Sequence, residues 1–293
     1  MSTMFTDLST NLADQVDAIR DSLFCVGPGK ATPRTGVIVA QNKLLSLAMS
    51  AEVGESVPVH GTRGESAATV TAFDPASGVV LLEGEAFAQP VLLASALPRI
   101  GSLAVEVAVP IPGDVEARLA MIRCVGGETR LPGGRKVDSY LQTDASSFRG
   151  FAGGAILAPN GELLGISMST MRREEGYAIP APVLRAILDQ LSAGGNRGMG
   201  YLGVTTAVAE LPKQRGDQRH GLLVTAVESG SPAANAGIRV GTFLIGIDGT
   251  PVSSRDALYD ALSSVTDGQR LAVETMNSEG ATSSLDVKVV LRR

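Results

Sequence analysis

Residues 141–157 read Leu141-Gln142-Thr143-Asp144-Ala145-Ser146-Ser147-Phe148-Arg149-Gly150-Phe151-Ala152-Gly153-Gly154-Ala155-Ile156-Leu157. At the centre stands Gly150-Phe151-Ala152-Gly153-Gly154, the spacing at which Gly-x-Ser-Gly-Gly presents an attacking hydroxyl. Acyl transfer by a serine needs an oxygen lone pair beside a proton acceptor, and the methyl group of Ala152 supplies neither. The glycines also fit a structural turn in which they serve tight packing.

Outward from this turn, short apolar runs recur at 36–40, 44–48, 56–60, 67–73, 79–82, 103–110, 118–125, 155–157 and 163–168, separated by turn residues. That spacing predicts an all-β barrel or sandwich. Pro159-Asn160-Gly161 marks a hairpin, because Asn-Gly tolerates the positive φ of a tight turn. Leu12, Val16, Ile19 and Leu23 recur at helical spacing and predict an amphipathic helix over 10–23, with Ser9 or Thr10 as its cap. A second helix is expected after Pro182, carrying Val183, Ile187 and Leu191 on one face and stopped by Gly194-Gly195. Gly-Gly-Asn-Arg-Gly-Met-Gly at 194–200 reads as a linker. Beyond it, β runs at 221–227, 242–247, 270–275 and 284–291, with helical patterns near 232–236 and 254–264, form an α+β module.

The 293 residues suffice for two domains, and 44% hydrophobic with 19% charged residues describe a globular chain. A net charge of −5 lacks the basic surplus of a nucleic-acid binder. Cys25 and Cys124 spell no metal-binding spacing and read as reduced structural thiols. No metal and no cofactor is expected. The first 14 residues hold no continuous apolar stretch, so neither a membrane span nor a secretory segment is expected there, and the location expected is cytoplasmic.

Taken in order, several segments resemble the HtrA (DegP-like) family of trypsin-like serine proteases with a PDZ domain. They are Thr35-Gly36-Val37-Ile38-Val39, Leu44-Leu45-Ser46-Leu47-Ala48-Met49, Asp74-Pro75-Ala76-Ser77-Gly78-Val79-Val80-Leu81-Leu82, the loop above, Asn160-Gly161-Glu162-Leu163-Leu164-Gly165-Ile166 and Gly176-Tyr177-Ala178-Ile179-Pro180. The resemblance implies a mainly β chain, a trypsin-like double β-barrel followed by an α+β PDZ domain. The expected division is 1–24 as an N-terminal segment, 25–193 as the barrel domain, 194–200 as linker and 201–293 as the PDZ domain.

Carried over residue by residue, the family pattern places its histidine at Met49, its aspartate at Gly78 and its serine at Ala152. A thioether takes no proton at neutral pH, glycine has no side chain to orient an imidazole, and alanine has no nucleophile. Losing a whole triad costs about 10^6 in turnover. An oxyanion hole made of the Gly150 and Ala152 amides is compatible with the sequence, while the ring of Phe151 is expected either to fill the cleft or to re-route the loop. Other chemistry is sparsely supplied. His60 and His220 read as structural or surface residues, Cys124 beside Arg123 has no histidine near it in sequence, and a pair of Ser147 with Lys136 or Lys43 stays open. The loop 126–137 resembles a regulatory barrel loop or is a solvated connection, and Arg172-Arg173-Glu174-Glu175 reads as an exposed turn.

In the second module Tyr201-Leu202-Gly203-Val204 looks like the carboxylate-binding loop of a PDZ domain, and Gly230-Ser231-Pro232-Ala233-Ala234-Asn235-Ala236-Gly237-Ile238 is similar to a second signature of the family. Amides of Leu202, Gly203 and Val204 are placed to receive a C-terminal carboxylate while the next strand pairs with the peptide. Arg197 adds positive charge upstream. Leu258 and Leu262, four apart on a helix, either wall the groove or belong to the core. The expectation is therefore no enzyme but a pseudoprotease that binds polypeptides or protein C-termini as adaptor, scaffold or regulator. The resemblance also implies a homotrimer, with Met4 and Phe5 as apolar contacts. The alternatives are a hydrolase with a non-standard site and a holdase-type chaperone.

Overall fold

The computed structural model describes residues 2–27, 33–47, 53–74, 77–85, 87, 89–131, 136–145, 150–168, 176–193, 199–263 and 265–292. Met49, Ser147, Arg172-Arg173-Glu174-Glu175, Arg197 and most of the expected linker lie outside the described residues. The chain divides into two compact units, one through residue 196 and one over Arg197–Arg293.

The first unit opens with helix α1 (Ser2–Ile19), a 3-10 turn (Arg20–Ser22) and strand β1 (Leu23–Val26). The helix thus starts earlier and ends earlier than its sequence period suggested. Ser9 and Thr10 lie inside it rather than capping it, and Leu23 pairs with Val37 in β1. Leu12, Val16 and Ile19 still face the core, so the apolar stripe was read correctly and only its ends were not.

Strands β2 (Arg34–Ala40), β3 (Lys43–Leu47), β4 (Ser56–Gly61), β5 (Gly64–Asp74) and β6 (Val79–Glu83) close with β1 into a barrel in the order β1-β2-β3-β6-β5-β4. Alternation decides the inside: Phe24, Val26, Ile38, Leu44, Val57, Val59, Val80 and Leu82 fill it, with Phe87 edge-on to Phe24 at 4.9 Å.

Next come β7 (Leu103–Ile111), β8 (Asp114–Gly126), the short pair β9 (Thr129–Arg130) and β10 (Lys136–Val137), then β11 (Tyr140–Thr143), β12 (Ala155–Leu157), β13 (Leu163–Met168) and β14 (Gly176–Pro180). A second closed barrel runs β11-β14-β13-β12-β7-β8. Asn160-Gly161 turns the β12–β13 hairpin, with Gly161 at φ +84°. The side chains opposite to those inside the barrels, among them Cys25, Val37, Leu45, Val107, Ala155 and Ile166, merge into one apolar cluster shared by both. Helix α2 (Ala181–Ser192) begins with Pro182 in its first turn and buries Leu184, Ile187 and Leu191. Val183, expected on the same face, is only half-buried.

The second unit pairs β15 (Met199–Tyr201) with β22 (Val290–Arg292). Its main sheet runs β16 (Val204–Arg215), β17 (Gln218–Val227), β18 (Phe243–Ile247), β20 (Arg270–Met276) and β21 (Thr282–Lys288), with β19 (Thr250–Pro251) added to β18. Helices α3 (Pro232–Asn235) and α4 (Arg255–Ser263) complete it. The core gathers Leu202, Leu222, Val224, Leu244, Val273 and Val287 under these elements. The strand β16 was not apparent as an apolar run, because it lies at the edge of the sheet and exposes Thr205, Val208 and Glu210.

Candidate functional site

Two backbone loops, one in each unit, have the geometry of a site. In the first unit the turn at 150–154 leads into β12. Gly150 and Gly153 take φ of +91° and +84°, a region that costs a residue with a Cβ. Space forbids a side chain there as well: a Cβ on Gly153 would lie 2.1 Å from the Thr35 carbonyl, and one on Gly150 would lie 2.4 Å from the Pro110 Cβ.

Thr35 in β2 brackets the turn. Its Oγ1 donates to the Gly150 carbonyl at 3.1 Å, its N–H to the Ala152 carbonyl at 2.9 Å, and the Gly154 N–H takes the Phe151 carbonyl at 2.9 Å. Thr35 is held in turn by Val109 N–H on its hydroxyl and by Ser46 Oγ on its carbonyl. Three successive carbonyls, of residues 150, 151 and 152, are thereby occupied, and the amides of Gly150 and Ala152 have no acceptor among the described residues. Thr35 was quoted in the sequence only as part of a motif; its role rests on a contact between residues 115 apart, which no local pattern reports.

Phe151 does not stand in open space. It is buried, and the Arg118 guanidinium lies 4.2 Å from its ring centroid. Behind this stack Glu106, 1% exposed, accepts from Arg118 Nε at 2.9 Å and Nη2 at 2.6 Å and from Thr143 Oγ1 at 2.7 Å. The ring therefore belongs to the packing of the turn.

Ala152 is buried and presents only its methyl group. Gly78 takes φ +76° in the turn before β6 and donates its N–H to the Asp74 carbonyl at 2.7 Å. The same turn contains a carboxylate that the sequence reading passed over: Asp74 is buried and accepts from Ser77 Oγ. Met49, the third position, is not among the described residues, so the spatial relation of the three is not part of this geometry. Cys124 lies in a half-exposed strand rather than an apolar one, and Cys25 is fully buried, its thiol pushed up by desolvation. His60 lies in β4 and His220 is exposed in β17. Among the described residues no group of three or more His, Cys, Asp or Glu is placed to hold a metal ion.

In the second unit the loop Tyr201-Leu202-Gly203-Val204 joins β15 to β16. The Leu202 carbonyl accepts from Ala233 N–H at 2.8 Å and the Gly203 carbonyl from Glu228 N–H at 2.9 Å. With both carbonyls occupied, the N–H groups of Leu202 and Gly203 have no acceptor among the described residues. Gly203 is required twice over: its φ is +77°, and a Cβ would lie 2.2 Å from the Ser231 Cβ. Tyr201 OH donates to the Glu228 carboxylate and so ties the loop's first residue to the end of β17. Val204 starts the edge strand by pairing with Val227. Leu258 and Leu262 do not form an exposed groove wall. They are 7% and 5% exposed and share the core with Leu202. The outward residues of α4 include Arg255, Asp256 and Asp260.

A pair of closed six-stranded barrels, followed by a separate α+β module with an open sheet edge, defines a trypsin-like double-barrel fold carrying a second domain. The PDZ domain family model matches residues 223–273. Serine endoprotease DegS of Escherichia coli strain K12 is 31% identical over 194 residues, covering 62% of this chain and 54% of its own length. A probable periplasmic serine endoprotease, DegP-like, of Pseudomonas fulva is 27% identical over 276 residues, covering 90% of this chain and 55% of its own. Among solved structures, the serine endoprotease from Yersinia pestis matches with a TM-score of 0.60 at 22% identity, over 96% of this chain and 98% of that one. The chain is an HtrA-like protease homologue with a PDZ domain, and it spans about half the length of these curated relatives.

Two expectations are overturned here. The chain was expected not to be an enzyme, and that expectation is set aside because its relatives are named serine endoproteases. It was expected in the cytoplasm, yet the P. fulva relative is named periplasmic. No helix among the described residues is long and apolar enough to cross a membrane.

Proposed function

We propose that this chain binds polypeptides by their free C-termini and acts through that binding as an adaptor, scaffold or regulator. On this reading the Leu202 and Gly203 amides receive the carboxylate, Tyr201 fixes the loop through Glu228, and the residues before the C-terminus add as a strand from Val204 along β16. The observation that carries it is the pair of unaccepted N–H groups, whose own carbonyls are held by Glu228 and Ala233 beside an open sheet edge. Fluorescence anisotropy with a labelled peptide and its C-terminal amide tests it. Amidation removes the charge that the loop receives, and a loss of about tenfold in affinity is expected for a charge-assisted pair. Equal affinity of the two peptides would reject the reading.

A second reading, peptide-bond hydrolysis, is favoured by the names of the relatives and by the donor conformation of the 150–154 turn. Residue 152 has no heteroatom, so on this reading the nucleophile is a different group. Turnover of fluorescent casein that persists through class-specific inhibitor controls, with Ala152→Ser as comparison, would identify it. A homotrimer formed through Met4 and Phe5, which are 72% and 71% exposed, belongs to the same proposal; sedimentation equilibrium at the mass of a single chain would remove it.

A further inference from the structure

Arg255 is the first residue of α4, and its Nη2 donates to the backbone carbonyl of Thr206 on β16 at 3.1 Å. The direction of that carbonyl follows from its neighbour. Val224, the cross-strand partner of Thr206, donates its N–H to Thr242 at 2.8 Å and accepts with its carbonyl from Gly241 at 2.9 Å, both on the side away from β16. A residue in an antiparallel ladder turns its N–H and C=O to one side, so Thr206 and Val224 form a non-hydrogen-bonded pair and the polar groups of Thr206 point off the edge of the sheet. The register runs unbroken from Thr206 to Glu210, so Val208, two residues on, points the same way. These are the groups that an added strand would bond, and Arg255 occupies one of them.

We infer that Arg255 is a latch on this edge, opened by acidic peptides. In the free protein its guanidinium holds the carbonyl that an N–H of the incoming strand must reach. A peptide with carboxylate side chains near its C-terminus offers the guanidinium a stronger, bidentate partner and frees the carbonyl; a neutral peptide displaces Arg255 into water with nothing in return. Among the described residues Arg255 has no ion pair that competes for it. The inference rests on the reading that β16 takes a peptide by strand addition, and it adds the chemical class of ligand.

The test uses the full chain and labelled decapeptides ending in Asp-Asp-Asp-Val or Asn-Asn-Asn-Val, measured by anisotropy at 0.15 M salt so that long-range charge effects are screened. The wild type is expected to prefer the acidic peptide by about threefold or more, the scale of an exposed charge-assisted bond. Arg255→Ala is expected to abolish that preference and to bind the neutral peptide more tightly than wild type does. Loss of a positive charge weakens rather than tightens a ligand whose one charge near the groove is its C-terminal carboxylate, so the second change isolates the latch. Arg255 is exposed, and a circular dichroism spectrum equal to wild type confirms that the variant is folded. An unchanged acid-to-neutral ratio, or weaker binding of the neutral peptide, overturns the latch and leaves strand addition standing. Failure of every peptide to bind either protein overturns both.

Discussion

At the scale of residues, the first unit depends on a few buried polar groups whose partners are remote in sequence. Glu106 accepts three hydrogen bonds in an almost fully buried position, two of them from Arg118, and the arginine then stacks on Phe151. Removing one partner of such a pair strands the other without its counter-charge, which costs about 3 kcal/mol or more. Glu106→Ala is therefore expected to lower unfolding free energy by about 3 kcal/mol in urea titrations, whereas Thr143→Val, which removes one neutral donor, should cost about 1 kcal/mol. Cys25 offers a prediction in pH. Burial raises its thiol above the ordinary value, so as pH rises past the ordinary thiol range the unfolded chain releases a proton that the folded chain keeps. Its contribution is complete below the unfolded pKa, about 8.5, and declines as pH rises through the raised folded value. Urea unfolding at pH 8 and pH 10 should show a smaller loss of stability in Cys25→Ala than in wild type. A difference of the opposite sign would show that the thiol ionises more easily when folded.

At the scale of elements, the edge strand β16 separates binding from folding. Val208 is exposed, and its N–H points away from β17, so it takes no part in the sheet's own ladder. Proline on an edge strand removes only an outward donor. Val208→Pro is expected to weaken binding of a C-terminal peptide about tenfold, the effect of losing a main-chain bond and obstructing the strand next to it, while the thermal midpoint stays within a few degrees of wild type. The loop before β16 behaves differently: at Gly203 any side chain meets Ser231, so Gly203→Ala disturbs the unit itself and tests the fold rather than the ligand.

At the scale of the whole molecule, the two barrels of the first unit are bound by one apolar cluster. Leu45 from the first barrel and Ile166 from the second are both fully buried within it. Leu45→Ala should cost about 2–5 kcal/mol, and the loss should reach both barrels. Hydrogen exchange read by mass spectrometry should show faster exchange in β13 as well as in β3. Confinement of the change to β3 would show that the barrels open separately.

Whatever depends on neighbours along the chain was legible in the sequence before any coordinates. Alternating apolar runs marked most barrel strands, Asn160-Gly161 marked a hairpin, Pro182 marked the start of α2, and the glycines of 150–154 marked a tight turn. It also fixed the chemistry that Ala152 lacks, because a methyl group is the same in any fold. Its period misplaced the ends of α1, since helix boundaries are set by what the last turns pack against. It did not show β16 as an apolar run, although a strand was expected after Val204, because the edge position leaves both faces partly wet. It left Leu258 and Leu262 between groove wall and core, because a helical stripe does not say what it faces; both are buried in the core. It took the folded chain to reveal which amides lack acceptors among the described residues, that Thr35 brackets the 150–154 turn, that Phe151 lies under Arg118, and that Arg255 reaches Thr206. Each of these joins residues tens of positions apart, and a hydrogen bond depends on angstroms in space, a quantity that spacing along a chain does not contain.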